Sequence, residues 1–184
     1  MPPGIFDFRV RLLALALLLP GPAVGDEFCV GLGPGATHST LQAAIDSARF
    51  NGPEEDAVYV SLELSYEAQQ LLVTRQNLYL SGVGDCVSLA ENQVPIEGDG
   101  ENSVFTITAI NDETVRMRNL RIGGGGDDGT GGGIDQRGRV NLSLDAVTIA
   151  GNRSALGGGI HVQNALGAIG EVKAAMAAEG IVVR

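Results

Sequence analysis

The residues best suited to chemistry lie within one short stretch. Asp127 and Asp128 sit in the run Gly123-Gly124-Gly125-Gly126-Asp127-Asp128-Gly129-Thr130, and Asp135 follows directly on Gly131-Gly132-Gly133-Ile134. Clustered carboxylates suit two kinds of work. One is general acid–base cleavage of a glycosidic bond, in which one acid protonates and the other activates. The other is binding a hard cation such as calcium, which takes carboxylate and carbonyl oxygens from glycine-rich turns. The glycine run fits part of the calcium repeat G-G-x-G-x-D-x-U-x. Thr130, however, stands where a large apolar residue anchors that turn, and no second copy follows. The run is therefore read as a corner loop with two solvated acids, with a calcium site as the alternative. For catalysis, two of the three acids lie in a glycine loop, which holds a side chain poorly. Arg137 and Arg139 are near in sequence, but no lyase-type or hydrolase-type motif surrounds them. Asp127, Asp128 and Asp135 are candidates only, and no catalytic or metal set is assigned.

The histidines, His38 and His161, form no zinc-type cluster with cysteine. His161 lies between Ile160 and Val162, which are expected to face inward, so it is expected to face outward, with no Ser, Cys or Asp partner placed by any motif. His38 precedes a helical pattern and reads as a loop residue. Asn152 follows Ile149-Ala150-Gly151 and is expected to bond backbone groups that a corner leaves unpaired.

The elements that must carry these residues are legible from a repeat. Gly131-Gly132-Gly133-Ile134 recurs as Gly157-Gly158-Gly159-Ile160, at an offset of 26. Leu120 and Ile122 map onto Val147 and Ile149 at an offset of 27, and Val115 and Met117 map onto Leu142 and Leu144 at the same offset. Short alternating strands with glycine corners at such a period read as a solenoid. A strand this short buries its apolar side only by stacking on its counterpart one turn later, about 4.8 Å away. The expected fold is an all-β solenoid, a right-handed parallel β-helix of about three to four coils over residues 26–164. In its register Ile149 points inward and Thr148 outward. Ser39-Thr40-Leu41-Gln42 fits a capping box with Ser39 as N-cap, and Leu41, Ala44, Ile45 and Ala48 follow at helical spacing. A helix over 40–49 is expected to cover the open end of the first coil.

The segment 1–25 reads as a secretory signal peptide. Arg9 and Arg11 precede the apolar run Leu12–Leu19, and Ala23 and Gly25 place small residues before a cut ahead of Asp26. That run is too short to span a bilayer, so no transmembrane segment is expected after cleavage. The full chain has a formal charge of −10, from 22 acidic and 12 basic side chains. Loss of Asp7, Arg9 and Arg11 with the leader makes the balance more acidic still by one charge. Such a surface repels phosphate backbones, which argues against nucleic acid as a partner. The expected location is secreted, cell-surface or periplasmic. There a disulfide between Cys29 and Cys86 is expected, two separate thiols being the alternative. Residues 165–184 are alanine-rich, with Leu166, Ile169, Val172 and Met176 at helical spacing. They read either as a C-terminal cap or as a tail unrelated to the repeat.

The region from Leu41 to Val162 resembles exported parallel β-helix proteins of the pectin-lyase-like superfamily. Thr40-Leu41-Gln42-Ala43-Ala44-Ile45-Asp46-Ser47-Ala48 looks like the family's N-terminal helix, and Asn77-Leu78-Tyr79-Leu80-Ser81-Gly82-Val83-Gly84 like its first completed coil. Ile149-Ala150-Gly151-Asn152 with Gly157-Gly158-Gly159-Ile160 is similar to the repeats of polymorphic outer-membrane proteins. Gly159 stands where those repeats usually have Ala, and Gly125 where the preceding coil should have Asn. The resemblance implies adhesins and autotransporter passengers on one side, and polysaccharide lyases and hydrolases on the other. The expected function is a non-enzymatic secreted or surface solenoid, adhesin-like or structural, or a fragment of a longer one. Its expected partner is a cell-surface glycan or protein. The alternative is a polysaccharide lyase or glycoside hydrolase of the same fold.

Overall fold

The computed structural model describes residues 25–50, 52–127 and 131–163. The expected leader up to Val24, Asp128 and Thr130 of the glycine run, and the alanine-rich tail lie outside these residues. The chain is mostly strand in parallel sheets, with one helix among the described residues. The elements are β1 (Glu27–Val30), α1 (Leu41–Arg49), β2 (Asp56–Ser61), β3 (Leu71–Thr74), β4 (Leu78–Val83), β5 (Val94–Glu97), β6 (Phe105–Arg118), β7 (Leu120–Gly123), β8 (Gly126–Asp127), β9 (Ile134–Asp145), β10 (Thr148–Ile149), β11 (Arg153–Ser154) and β12 (Ile160–Gln163). The largest sheet runs β1-β2-β4-β6-β9-β12, with β3 also on β6; β10-β7-β5 and β11-β8 form the others.

Every pairing between these strands is parallel. Ile122 lies opposite Ile149, and Val115 and Met117 lie opposite Leu142 and Leu144. Ile134 lies opposite Ile160. These are the partners that the two sequence offsets select. Because side chains alternate along a strand, such a register stacks like on like. One inward column is Val58, Leu80, Met117 and Leu144; another is Leu71, Phe105, Ile134 and Ile160; a third is Ile96, Ile122 and Ile149. All but the last residue of each column are fully buried in one core cluster. Each such side chain contributes about 1.5–3 kcal/mol through burial. Corners repeat too: Asn119 and Ala146 share left-handed φ values of 53° and 50°, and Gly124 and Gly151 share 67° and 71°.

The residues around Ile107 and Val115 lie on one continuous strand, β6. It bulges between Ala109 and Glu113, where the Glu113 carboxylate accepts the Ile110 and Asn111 amide hydrogens at 3.0 and 2.8 Å.

The helix begins one residue later than expected. Thr40, not Ser39, is the N-cap: its backbone is extended and its hydroxyl accepts from the Ala43 amide at 3.3 Å. Gln42 takes on another task. Its side-chain carbonyl accepts from the Leu72 amide at 2.8 Å, and its NH2 donates to the Leu72 carbonyl at 3.1 Å. One side-chain amide thus does for β3 what a neighbouring strand would do. Leu41, Ala44, Ile45 and Ala48 are buried in the main core.

At the other end β10, β11 and β12 each close their sheet's order among the described residues. Leu142, Leu144, Val147, Ile149 and Ile160 pack on the core there but are only partly buried. Ile149 faces the core side as expected without full burial, and Thr148 is exposed.

Cys29 and Cys86 are joined by a disulfide across a sequence separation of 57, with Cα atoms 5.7 Å apart. The bridge is buried with Val83, against Ala36, Tyr59 and Leu89. No helix among the described residues is long and apolar enough to cross a membrane.

Candidate functional site

The register of β6, β9 and β12 sets out two rows on the outer side of the sheet. Thr106, Asp135 and His161 form one row, and Thr108, Arg137 and Gln163 the next. Inward Ile134 and Gln136 flank Asp135 in the strand, and both are buried. Asp135 is itself 0% exposed, although it lies on the outer side. Its neighbours cover it and also satisfy it. One carboxylate oxygen accepts from the Arg137 Nε and Nη2, both at 2.6 Å. The other lies 3.0 Å from His161 Nδ1. The Arg137 and His161 side chains are 47% and 19% exposed, so both reach solvent.

The chemistry of this trio follows from its partners. A carboxylate accepts only, so the neutral imidazole beside it carries its proton on Nδ1 and leaves Nε2 with a lone pair that can act as a base. A carboxylate-oriented imidazole is one half of a proton-transfer device. The guanidinium beside it offers its remaining N–H groups to an anion. Asp135 is the side chain that bonds His161 among the described residues.

His161 was expected to stand without an Asp partner, and this is corrected: Asp135 is that partner. The signal was present in the repeat, because the offset that stacks Ile160 on Ile134 also stacks His161 on Asp135.

The three candidate acids are not one cluster in the described residues. Asp127 belongs to the strand β8, paired with Ser154, and so lies in a different sheet from Asp135; Asp128 lies outside the described residues. The glycine run expected as a loop is strand at both described ends, in β7 and β8. No group of three or more His, Cys, Asp or Glu among the described residues is placed to hold a metal ion. A Cβ on Gly125 would collide with the Gly132 carbonyl, so this corner tolerates only glycine.

The chain matches no family model, no curated protein and no solved structure.

His38 is a joint rather than a site. Its ring bonds Thr37 Oγ1 and Ser47 Oγ, each at 2.9 Å, and meets the Phe28 ring edge-on. Other outward charges brace neighbouring strands. Arg116 pairs with Glu55, Arg139 with Asp112, and Arg121 with Glu97; Arg118 spans Glu91 and Asp145.

Proposed function

We propose that the chain is an exported right-handed parallel β-helix of about three to four coils, of pectin-lyase-like type, serving as a non-enzymatic surface or secreted solenoid. Its role is adhesin-like or structural, in a whole protein or in one segment of a longer solenoid. One observation supports the architecture: parallel pairs in all three sheets recur at a nearly constant interval, from Ile122 to Ile149, from Gly126 to Arg153 and from Ile134 to Ile160. A segment that returns to its own neighbour at a repeated interval, as these later strands do, is consistent with coiling. The buried disulfide accords with an oxidising compartment.

The role is supported by how outward charge is spent. Arg116, Arg118, Arg121 and Arg139 on the outer faces close on carboxylates of other strands and turns. Such faces are ordered and wettable, as a stalk or an adhesive surface for glycan or protein requires. The acidic balance accords with a partner other than nucleic acid.

The second reading is a polysaccharide lyase or glycoside hydrolase. The Asp135–His161 pair beside Arg137 favours it, since a base and a cation then sit on adjacent strands.

One experiment separates the two. The purified chain is incubated with polygalacturonate, alginate and neutral glycans, with and without calcium, and followed by unsaturated-product absorbance and by reducing ends. The first reading expects no turnover, together with retention of the labelled chain on a glycan array or on cells. Turnover that is lost in Asp135→Asn and His161→Gln would replace it with the second.

A further inference from the structure

Asp56 opens β2 with a buried carboxylate, 2% exposed, whose Oδ1 lies 2.6 Å from the backbone nitrogen of Asp26. Burying a carboxylate is costly unless donors or positive charge face it. Asp26 is held in place from its other side as well, because its carbonyl accepts the Ala57 amide hydrogen at 2.9 Å. The residue before it is packed tightly: a Cβ on Gly25 would collide with the Glu55 carbonyl oxygen. The nitrogen aimed at Asp56 therefore belongs to the bond that the leader pattern marks for cleavage.

Hydrolysis of that bond adds one water across the amide. The Gly25 carbonyl takes the hydroxyl and leaves as a carboxylate. The Asp26 nitrogen keeps the electron pair, takes protons and becomes an ammonium at neutral pH. Without moving, it then places a full positive charge 2.6 Å from Asp56. The amide hydrogen bond to the carboxylate thereby becomes an ion pair, with the attraction of two opposite charges added to it.

We infer that Asp56 is the receiving site for the α-ammonium of the processed chain, so that cleavage completes the pairing of β1 on β2. The inference rests on the proposed cut between Gly25 and Asp26, and not on the role of the outer faces.

The test uses chains released from a fusion by a protease that leaves no extra residue. One begins at Asp26 and one retains Gly25, each with Asp56 or with Asp56→Asn. The chain beginning at Asp26 is expected to melt about 4 °C higher than the one retaining Gly25, and the gap is expected to vanish in Asp56→Asn. Equal melting with Asp56 present, or a gap that persists in Asp56→Asn, would overturn the inference.

Should Asp56→Asn fail to fold, the unmutated chain still decides. Beginning at Asp26, it has two amines, the α-amine and Lys173. Acylation of the α-amine, measured against Lys173, is expected to be at least about tenfold slower in the folded chain than in denaturant. Equal rates would overturn the inference. N-terminal sequencing of exported protein tests the cut separately. A start elsewhere would defeat the proposed processing while leaving the measurements on the released chains intact.

Discussion

Asn152 reaches back one repeat: its side-chain carbonyl accepts the Gly125 amide hydrogen at 2.9 Å, across a sequence separation of 27. Its NH2 donates to the Ile122 carbonyl at 3.0 Å, so one amide holds both sides of the previous corner. Asn152→Ala deprives the Gly125 amide hydrogen of this acceptor and is expected to cost about 1–3 kcal/mol. Urea denaturation measures it. Asn141→Ala, which loses one exposed bond to the Asp112 carbonyl, is the control with the smaller effect.

Ile122 is fully buried between Ile96 and Ile149. Ile122→Ala should destabilise by about 2–5 kcal/mol, and Ile122→Asp should prevent folding. Ile149→Asp, on the partly covered last strand of its sheet, should cost less than Ile122→Asp but clearly more than Thr148→Asp on the outer face. Equal midpoints for the Ile149 and Thr148 variants in chemical denaturation would contradict the register.

The Cys29–Cys86 bridge closes a sequence separation of 57. In the chain-entropy treatment a loop of this size is worth about 4 kcal/mol. Replacing both cysteines by serine should lower stability by that order. Peptide mapping without reductant should recover the pair cross-linked.

Removing the Arg137 side chain leaves the fully buried Asp135 carboxylate without its guanidinium partner. Arg137→Ala should cost about 3 kcal/mol, as breaking a buried ion pair does. Loss of the half-covered His161 side chain, in His161→Ala, should cost less. Thermal unfolding of the two variants gives the ranking directly.

Two turns should respond to acid. The Ser88 and Val87 amides and the Ser88 hydroxyl hold the Asp85 carboxyl below its usual 3.8, the Ser88 amide contributing most. The side chain of Asn102, then the amides of Glu101 and Asn102, do the same for Asp99. A depressed carboxyl contributes stability that is present above about 3.8 and is lost as the pH falls through its lower folded value. Asp85→Asn and Asp99→Asn should therefore show a smaller loss of stability below about pH 4 than the parent. Melting curves across that range, in parent and variants, provide the check.

The repeat made the core legible because an inward column is a sequence statement. Ile122 and Ile149 are the same residue type at a fixed interval, and that interval can be read from the bare chain. The outer rows follow the same interval but join unlike residues, Asp135 with His161 and Arg118 with Asp145, so similarity alone does not reveal them. The bulge at Glu113 was hidden for another reason. It depends on a carboxylate bending back to its own strand, which no periodicity records. Gln42, near a helix start, fits a capping box equally well in sequence; the β3 edge that claims it lies far along the chain, at Leu72.

The shared interval that relates β5 to β7, β7 to β10, β8 to β11 and β9 to β12 has a consequence for how this part of the chain tolerates changes in length. Residues separated by one interval share a place in the register and a side of the sheet, as Arg121 and Thr148 do. Excising a whole interval, or duplicating one, rejoins equivalent backbone positions and keeps every remaining side chain on its own side. Deleting one residue inside a strand inverts the alternation downstream until a corner absorbs the slip. This later part of the molecule is therefore quantised in length, open to gain or loss by whole intervals and intolerant of fractions within its strands.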